Sequence, residues 1–397
     1  LVSQNPNNSP RIAQYAVLCY NYLLCLTEAQ HRLHKGQHIY IPLAESTQLK
    51  LSVAPERLLP RDSEPVYSME AEALIMGKTV LVTGAGGSIG SEIVKQCRRL
   101  GANRIVKVDN DESALFNLSL SLFGHALFNE DSDLHLVDIS NELAISKLIG
   151  EVKPDIVFHA AAKKHLSLVE AQPEMAIRVN VFGTLSVIKA SVAHAVPRFV
   201  NISTDKAANP SSVLGWSKRI AELIGAHYTT PFTNITSVRF GNVLGSNGSL
   251  LPIIQHKLET GKAIQVTHPE VTRYFMTIPE ATGLVIEAAN LSMGGEVFIL
   301  DMGMPVKIVD VIRDYARLAG NKVPEIEFIG LRAGEKLHEE LFADSEQHTS
   351  TAHPRIKMAL VHDNTDVGAK LNELSDLLSV QTECSELKNA LTLTRKD

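Results

Sequence analysis

The sequence of 397 residues has few cysteines and only a small excess of negative charge. Its four cysteines, Cys19, Cys25, Cys97 and Cys384, show no metal-ligand spacing, and their small number fits a reducing cytoplasm. The net charge is -6 with acidic and basic residues interspersed, so we expect no basic face and no nucleic-acid partner. His256, His268 and His338 form no H-x-x-x-H or similar pair with one another, and we expect no bound metal.

The apolar stretch near the N-terminus, residues 12–26, is too short to span a bilayer and is interrupted by Gln14 and Asn21. It has no basic n-region and no small-residue cleavage site, so we do not expect a signal peptide. An amphipathic helix that packs on the main domain or on another subunit is favoured over attachment to a membrane surface.

The rest of the chain shows a long alternation of strand and helix patterns. Residues 1–75 are predicted to form an N-terminal leader of one helix, a strand-like segment and a polar stretch with several prolines. The alternation that follows indicates βαβ units, so we predict an α/β fold with a Rossmann-type, doubly wound parallel sheet over residues 76–240. The predicted strands are residues 80–82, 104–108, 134–137, 156–158, 199–202 and 235–239, and the clearest helices are 142–152 and 174–194.

Glycine and proline become more frequent after the last of these strands. We predict that residues 241–360 form mainly a smaller C-terminal substrate-binding lobe, interleaved with the sheet, with a late strand at 296–300. Residues 361–397 are predicted to form a helical tail, because leucines recur there at helical spacing.

The most informative segment is residues 81–90, Leu-Val-Thr-Gly-Ala-Gly-Gly-Ser-Ile-Gly, which follows a short apolar strand and precedes a helix. In this setting Gly84 allows the tight turn, Gly87 lets the backbone approach a pyrophosphate, and Gly90 lets the helix lie close to the sheet. The helix N-terminus offers free N–H groups to the phosphates. The predicted cofactor contacts in this loop are Gly84, Gly87, Ser88, Ile89 and Gly90.

An acidic residue closes the second predicted strand. Asp109 is placed to bind the adenosine ribose through its 2′-hydroxyl, and its carboxylate would repel a 2′-phosphate. No arginine follows it directly, so NAD is predicted rather than NADP. The alternative is that Asp109 only caps the next helix.

Further cofactor contacts are predicted at the ends of the third and fourth strands. Asp138 and Ile139 follow the third strand, where the adenine is expected. Small residues after the fourth strand would let the backbone pass close to the cofactor, and these are Ala160, Ala161 and Ala162.

Longer segments are more specific than the glycine loop. They are TGAGGSIG at 83–90, HAAA at 159–162 with KH at 164–165, STDKA at 203–207, RFGNVLGS at 239–246, TRYFM at 272–276 and GLRAGEK at 330–336. In these segments the chain resembles the extended short-chain dehydrogenases/reductases, and more narrowly the polysaccharide-biosynthesis branch that contains UDP-N-acetylglucosamine 4,6-dehydratases. The resemblance covers roughly residues 55 to 360, so the first fifty or so residues lie outside it.

The resemblance implies the catalytic residues. The usual pair of the family is Tyr-x-x-x-Lys, and its lysine matches Lys218, which should hydrogen-bond the nicotinamide ribose. Four positions earlier stands Leu214, which has no ionisable group; some members of the dehydratase branch have methionine there. The same resemblance assigns removal of the C5 proton of the sugar to Lys206 and proton donation at C6 to Asp205. Thr204 is expected to hydrogen-bond the C4 hydroxyl, because Leu214 cannot.

Lys206 must be neutral to act as a base, whereas a free lysine titrates near ~10.4. We expect a nearby cation, either Lys218 or the nicotinamide ring, to lower the pKa of Lys206. The same cations favour the ionised form of Asp205, although a general acid must begin protonated. The alternative is that the pair lies on a solvated surface turn, because Asn209-Pro210 follows it.

The resemblance also indicates contacts with a nucleotide-sugar. Lys164 and His165 follow the fourth strand and are expected to edge the sugar pocket. The remaining predicted contacts are Asn242 and Ser246, and, for the pyrophosphate or uridine, Arg273 and Arg332. Arginine suits phosphate because its planar fork donates two parallel hydrogen bonds, but each arginine has a surface ion pair as its alternative.

The resemblance implies an NAD-dependent lyase that dehydrates UDP-N-acetylglucosamine to a 4-keto-6-deoxy sugar for surface polysaccharides, and the cysteine content favours a cytoplasmic location. A homo-oligomer is expected, because relatives commonly pair through helices. Two alternatives stay open. One is an epimerase of the same fold that acts at C4 or C5 of a UDP-sugar, and the other is a catalytically silent NAD-binding scaffold, motivated by Leu214 and the leader.

Overall fold

The computed structural model describes residues 53–59, 61, 63, 65, 67–124, 133–360, 365–380 and 382–393. The predicted N-terminal helix and the strand-like segment after it lie outside these residues. By its contacts the chain divides into two compact units after Gln48. The helices and strands described below belong to the unit Leu49–Asp397.

The described residues alternate between strands and helices. The strands are β1 (Thr79–Thr83), β2 (Arg104–Asp109), β3 (Leu134–Leu136), β4 (Ile156–His159), β5 (Arg198–Ile202), β6 (Asn234–Arg239), β7 (Asn242–Leu244), β8 (Ile264–Val266), β9 (Thr272–Arg273), β10 (Phe275–Thr277), β11 (Glu296–Leu300), β12 (Val306–Lys307), β13 (Ile326–Phe328), β14 (His348–Ser350) and β15 (Ile356–Leu360). The helices are α1 (Met69–Ile75), α2 (Ser88–Arg99), α3 (Glu112–Phe123), α4 (Glu142–Val152), α5 (Leu166–Ala171), α6 (Pro173–Ala193), α7 (Val213–Tyr228), α8 (Leu250–Thr260), α9 (Ile278–Leu291), α10 (Ile308–Leu318), α11 (Val367–Ser379) and α12 (Cys384–Leu391).

Within the described residues the central sheet has nine strands in the order β14-β15-β11-β6-β5-β4-β1-β2-β3. The strands from β3 to β11 are parallel, whereas β15 runs antiparallel to β11 and to β14. The prediction of a doubly wound parallel sheet is therefore confirmed. The strand order reverses between β1 and β4, and ligands of such sheets bind at that switch point, outside the carboxyl ends of the strands.

Hydrophobic cores lie on both faces of the sheet. Ile145 of α4 and Ile220 of α7 are buried in the core of one face, and Ile93 of α2 and Val285 of α9 in the core of the other. The strand β1 is buried at four of its five positions, as expected for a central parallel strand covered by helices.

The helix α6 contains a π-helical stretch, Ile177–Gly183, between two α-helical parts. Among the described residues it is the one helix long and apolar enough to cross a membrane by length and composition. The most apolar 18-residue stretch of α6 is 72% buried inside the protein, so its length and apolar composition are those of a core helix.

The segment upstream of β1 packs on the rest of the unit. Ile75 of α1 lies in the same core as Ile93 of α2, and Val53 packs in a third core with Leu251 of α8 and Ile312 of α10. Residues 53–59 and 67–75, which were predicted as part of the leader, thus contribute to the cores of the unit.

The region after β6 serves both the sheet and a smaller lobe. Strands β11, β15 and β14 extend the central sheet, whereas β7 with β10, β9 with β12 and β8 with β13 form small two-stranded sheets. The tail forms two helices, α11 and α12, whose Leu374 and Leu387 pack in the same core as Ile220 of α7.

Candidate active site

The glycine loop after β1 is built for close approach of backbone. Gly84 has a φ of +66°, and a Cβ atom there would lie 2.6 Å from the backbone nitrogen of Ala161. A Cβ atom at Gly90 would lie 2.0 Å from the carbonyl oxygen of Gly84, so no side chain fits at either position. The helix α2 begins at Ser88, and Gly87 at its N-cap supplies no side-chain cap. The first N–H groups of α2 are therefore left for an anion such as a pyrophosphate.

Asp109 contacts this loop directly. Its Oδ2 accepts a hydrogen bond of 2.9 Å from the backbone N–H of Gly86, and its Oδ1 accepts from the N–H groups of Asn110 and Asp111 at 2.8 and 3.1 Å. The N-cap of α3 is Asp111, whose side chain accepts from the N–H of Ala114. The alternative that Asp109 caps the next helix is therefore wrong, and its carboxylate lies at the glycine loop.

The other cofactor residues differ in how far they are exposed at the carboxyl edge of the sheet. Asp138 accepts from the N–H of Ser140, whereas Ile139 is 5% exposed and packs in the core near Gly183. The N–H of Ala160 continues the ladder with Thr83 at 3.0 Å. Ala161 is half-buried and Ala162 is exposed. Contact of these residues with a cofactor stays a prediction.

Lys218 of α7 is 4% exposed and makes no hydrogen bond or ion pair with a described residue. Burial lowers its pKa to about 8, against a smaller opposing effect of Glu222. His159, at the end of β4, is fully buried between the hydroxyls of Thr83 and Thr184, at 2.8 and 2.9 Å. Burial and the nearby Lys218 lower the pKa of His159 to about 3, so the imidazole is neutral. The ammonium of Lys218 is thus left for a ligand.

The segment Thr204, Asp205, Lys206 follows β5 at the same edge of the sheet. Asp205 is 1% exposed, and its Oδ1 accepts from the hydroxyl of Thr204 and from Nζ of Lys206, both at 2.9 Å. Its Oδ2 is buried without a hydrogen-bond partner among the described residues. An unsatisfied buried polar atom costs about 1–3 kcal/mol, so this oxygen would gain from a donor on a bound ligand. The alternative of a solvated surface turn is therefore wrong.

Lys206 has a second carboxylate beside it. Its Nζ lies 3.4 Å from Oε1 of Glu339, a residue that the sequence analysis did not single out. Burial alone would lower the pKa of Lys206, but the carboxylates of Asp205 and Glu339 outweigh burial and raise it. The expectation that Lys218 lowers this pKa is therefore wrong, because the two carboxylates hold Lys206 as a cation. The effect of a nicotinamide ring stays a prediction.

Leu214, in the place of the family's tyrosine, is a residue of α7 that packs in the hydrophobic core and is 8% exposed. The next residue, Gly215, brings α7 against the turn of Lys206, because a Cβ atom there would lie 2.4 Å from the carbonyl oxygen of Lys206. The sequence places an apolar side chain where the usual catalytic phenol would stand, so no titratable group replaces it at that position.

The two predicted phosphate-binding arginines differ. Arg273 is 6% exposed, and its guanidinium donates to the carbonyl oxygens of Thr272 and Leu337 and, at 3.0 Å, to Glu335. Its Nε also lies 3.7 Å from Oε1 of Glu339. Arg273 would thus have to exchange partners before it could bind a phosphate. The alternative for Arg273 was a surface ion pair. The structure contains an ion pair between Arg273 and Glu335, but it is largely buried.

The remaining predicted substrate residues differ in how far they are exposed. Arg332 is exposed, Asn242 begins β7 half-buried, and Ser246 is 9% exposed. They are not joined to the Asp205–Lys206 pair by any hydrogen bond between described residues, so their contact with substrate stays a prediction.

A strap at residues 245–249 links the glycine loop to the loop after β4. The N–H of Asn247 donates to Oγ of Ser88 at 3.0 Å, and the carbonyl oxygen of Asn247 accepts from Nζ of Lys164 at 2.8 Å. A Cβ atom at Gly248 would lie 2.6 Å from the ring of His165. The strap therefore brings Ser88, Lys164 and His165, predicted for cofactor and sugar, to one place.

Comparison with known proteins decides the family. A model described as polysaccharide biosynthesis protein matches residues 80–361. The chain belongs to this polysaccharide biosynthesis family. The capsular polysaccharide biosynthesis protein CapD of Staphylococcus aureus is 44% identical over 311 residues, which are 77% of this chain and 51% of that relative. The chain thus spans about half the length of CapD. The predicted membership of the extended short-chain dehydrogenases/reductases of polysaccharide biosynthesis is confirmed.

Other similar proteins share most of their length with the chain. A UDP-glucose 4-epimerase of Rickettsia conorii is 30% identical over 281 residues, 69% of this chain and 80% of the epimerase. The X-ray structure of Pen from Bacillus thuringiensis matches with a TM-score of 0.65 and 31% identity, over 72% of this chain and 90% of Pen. A dTDP-glucose 4,6-dehydratase from Streptomyces venezuelae, solved with NAD, matches with a TM-score of 0.59 over 66% of this chain and 88% of that one; at 20% identity it shares the fold.

The polysaccharide biosynthesis protein also contains a buried ion cluster beneath the site. Arg239 donates to both carboxylate oxygens of Glu222 and of Glu346, at 2.7–2.8 Å, and Arg219 contacts the same two carboxylates. The hydroxyl of Ser203 donates to Glu222 at 2.6 Å, so the cluster holds the strand end just before Thr204. The signal for it was an arginine at the end of the buried strand β6.

No group of three or more histidine, cysteine, aspartate or glutamate side chains within the described residues could hold a metal ion.

Proposed function

We propose that this member of the polysaccharide biosynthesis family dehydrates UDP-N-acetylglucosamine to a UDP-4-keto-6-deoxy sugar with NAD as its cofactor. The observation that carries the proposal is the buried pair of Asp205 and Lys206, 2.9 Å apart at the carboxyl edge of the sheet. A simple hydride transfer at C4 needs no second acid and base, whereas loss of water across C5 and C6 needs both.

Three features support NAD. The glycine loop leaves the N-terminus of α2 uncapped, the carboxylate of Asp109 lies against that loop, and Lys218 is buried without a partner in the described structure. The uncapped helix N-terminus suits the pyrophosphate, the carboxylate suits the adenosine ribose, and the buried lysine suits the nicotinamide ribose. When bound, NAD would accept a hydride from C4 of the sugar and return it to C6, so that it is not consumed.

Residues of the chain would carry out the proton transfers. Once C4 is a ketone, the C5–H bond is acidic, and Nζ of Lys206, when neutral, takes that proton. The electron pair of C5 then forms the C5–C6 double bond as the C6–O bond breaks, and Asp205 in its protonated form donates the proton with which the hydroxyl leaves as water. When hydride is returned at C6, the ammonium of Lys206 would give its proton back to C5. The hydroxyl of Thr204, next to Asp205, would hydrogen-bond the C4 hydroxyl. Because Leu214 has no ionisable group, Asp205 and Lys206 on the turn after β5 would provide the acid and the base.

An epimerase acting on a UDP-sugar is the second candidate, and the similarity to the Rickettsia enzyme favours it. The buried Asp205–Lys206 pair and the absence of an ionisable group at Leu214 support the dehydratase instead. A cytoplasmic location and a homo-oligomeric state are part of the proposal.

The purified protein should be incubated with UDP-N-acetylglucosamine and catalytic NAD, and the sugar nucleotide followed by mass spectrometry and NMR. Loss of one water with a new 6-methyl signal is the expected result, and the ring couplings report the configuration at C5. An unchanged mass with an inverted C4 would establish the epimerase. Binding of NAD with no change in any UDP-sugar would point to the silent scaffold.

A further inference from the structure

A buried row of alternating charges leads from the catalytic turn into the lobe. Nζ of Lys206 lies 2.9 Å from Asp205 and 3.4 Å from Glu339, and the same Oε1 of Glu339 lies 3.7 Å from Nε of Arg273. Arg273 in turn contacts Glu335 at 3.0 Å. The carboxylate of Glu339 thus contacts both cations, and it links Lys206 on the turn after β5 to Arg273 on β9.

These groups are shielded from water. The side chain of Glu339 is 4% exposed, that of Arg273 is 7% exposed and that of Lys206 is 19% exposed. At such burial a charge interaction is far stronger than on the surface, because little solvent screens it. Conversion of Lys206 to the neutral amine would leave the two carboxylates of Asp205 and Glu339 facing each other without a cation between them.

The groups that face Lys206 come from three elements. Asp205 lies on the same turn, Glu339 on the segment between β13 and β14, and Arg273 on β9. Tyr274, beside Arg273, has its pKa raised by burial and by Asp205, so its phenol stays neutral. Of the two carboxylates on Lys206, only Glu339 has no part in the proposed chemistry.

We propose that Glu339 is a positioning residue that holds Nζ of Lys206 at the sugar pocket and sets the pH above which Lys206 acts as a base. The inference rests on the proposed function, in which Lys206 removes the C5 proton. Glu339 itself need not touch the sugar. Because it shares Oε1 between Lys206 and Arg273, it also couples the base to the lobe that is expected to bind the nucleotide.

The test compares Glu339→Gln with Glu335→Gln, a matched change that removes a carboxylate from Arg273 but not from Lys206. The rate of water loss from UDP-N-acetylglucosamine is followed against pH, and the acidic limb reports protonation of the base. In Glu339→Gln the acidic limb should move to lower pH, because a carboxylate that stabilises the ammonium is gone. In Glu335→Gln it should stay in place. A fall of the plateau without movement of the limb would overturn the inference.

Glu339→Asp separates charge from reach. It keeps the carboxylate but shortens the side chain, so we expect the limb to stay near that of the wild type while the plateau falls. A limb that moves as far in Glu339→Asp as in Glu339→Gln would contradict the assigned role of the charge.

A readout that needs no turnover distinguishes failure of the inference from failure of the proposed function. Acetic anhydride acylates the neutral amine, so labelling of Lys206 against pH, measured by peptide mass spectrometry, gives the pH at which the amine appears. Labelling should begin at lower pH in Glu339→Gln than in the wild type and in Glu335→Gln. This shift in a protein that dehydrates no UDP-sugar would support the control of Lys206 by Glu339 and reject the proposed function. No shift in an active enzyme would reject the inference alone.

Discussion

The two lysines assigned to the site lie in contrasting surroundings. Lys218 is buried on α7 without a hydrogen bond or ion pair to a described residue, and burial lowers its pKa to about 8. Lys206, on the turn after β5, lies between two carboxylates, which raise its pKa. The same side chain is thus kept ready to lose its proton in one place and held protonated in the other.

The contrast extends to the two halves of the candidate site: the cofactor half, which is the glycine loop with α2 and Asp109, and the sugar half, which is the turn after β5 with the residues around Arg273. On the glycine-loop side the donors of α2 have no side-chain cap, so an anionic cofactor can bind them without displacing a protein group. On the lobe side Arg273 already donates to Glu335 and to two carbonyl oxygens. We infer that the cofactor half is preorganised, whereas the sugar half must exchange ion pairs when its ligand binds.

The largest effect is expected from Lys206→Arg. Arginine keeps a cation between Asp205 and Glu339 but does not lose its proton near neutral pH, so it removes the base without leaving buried carboxylates unpaired. Water loss from UDP-N-acetylglucosamine should fall by about 10³-fold or more, while NAD binding is unchanged. Product formation by mass spectrometry and NAD binding by calorimetry measure the two effects.

The exposed Lys189 of α6 offers the control, and Lys189→Arg should leave both measurements unchanged. Lys206→Ala adds a second comparison, because a C4-epimerase needs no base at C5 and would survive it. Water loss that persists in Lys206→Arg would show that Lys206 is not the base.

A smaller effect is expected at the other lysine. With a pKa of about 8, Lys218 loses its charge as the pH rises through that value, so oxidation at C4 should decline in the same range if the charge assists it. Lys218→Arg keeps the charge and should retain the rate above pH 8, whereas Lys218→Met should lower it roughly 10²-fold. Absorbance of the reduced nicotinamide in a single turnover measures this step. Identical pH profiles for the wild type and Lys218→Arg would remove the charge of Lys218 from the mechanism.

The cofactor half could be predicted from the sequence because its signals are local. A strand, a glycine loop and a helix follow one another within residues 79–99, and Asp109 ends the next strand. In a parallel sheet the carboxyl ends of neighbouring strands meet at one edge, so the turn with Asp205 and Lys206 could also be placed there.

The sugar half could not be predicted to the same depth, because its electrostatics depend on pairs far apart in the chain. Sequence reasoning considered only Lys218 and the cofactor as neighbours of Lys206 and therefore gave the wrong direction for its pKa. Glu339 lies on a segment without regular structure, and no periodicity marks it. Arg273 was chosen for its fork of donors, but the sequence does not say that Glu335 already occupies it.

The pH dependence of stability that His159 causes reports how far water is excluded from the surroundings of Lys218. Its pKa of about 3 means that the folded protein takes up its proton far below the pH at which the unfolded chain does. Between pH 6.5 and pH 5 the unfolded state binds the extra proton, so the free energy of unfolding should fall by about 2 kcal/mol from this group as the pH falls. In His159→Gln that part of the pH dependence should vanish, as measured by urea unfolding at both pH values. His256→Gln, at an exposed position, is the control, and equal slopes in all three proteins would contradict a buried neutral imidazole.

The smallest effect is expected at Asp109, on the preorganised side. Its carboxylate accepts one backbone hydrogen bond from Gly86 of the glycine loop and two from Asn110 and Asp111, so a ribose would join an acceptor that is already oriented rather than displace one. Asp109→Ala should therefore weaken NAD more than NADP, by roughly tenfold in the ratio of their dissociation constants. Asp111→Ala removes a carboxylate two positions away that only caps α3, and its ratio should match the wild type. If both variants shift the ratio alike, the effect comes from the loop backbone, and the cofactor half is less preorganised than its hydrogen bonds indicate.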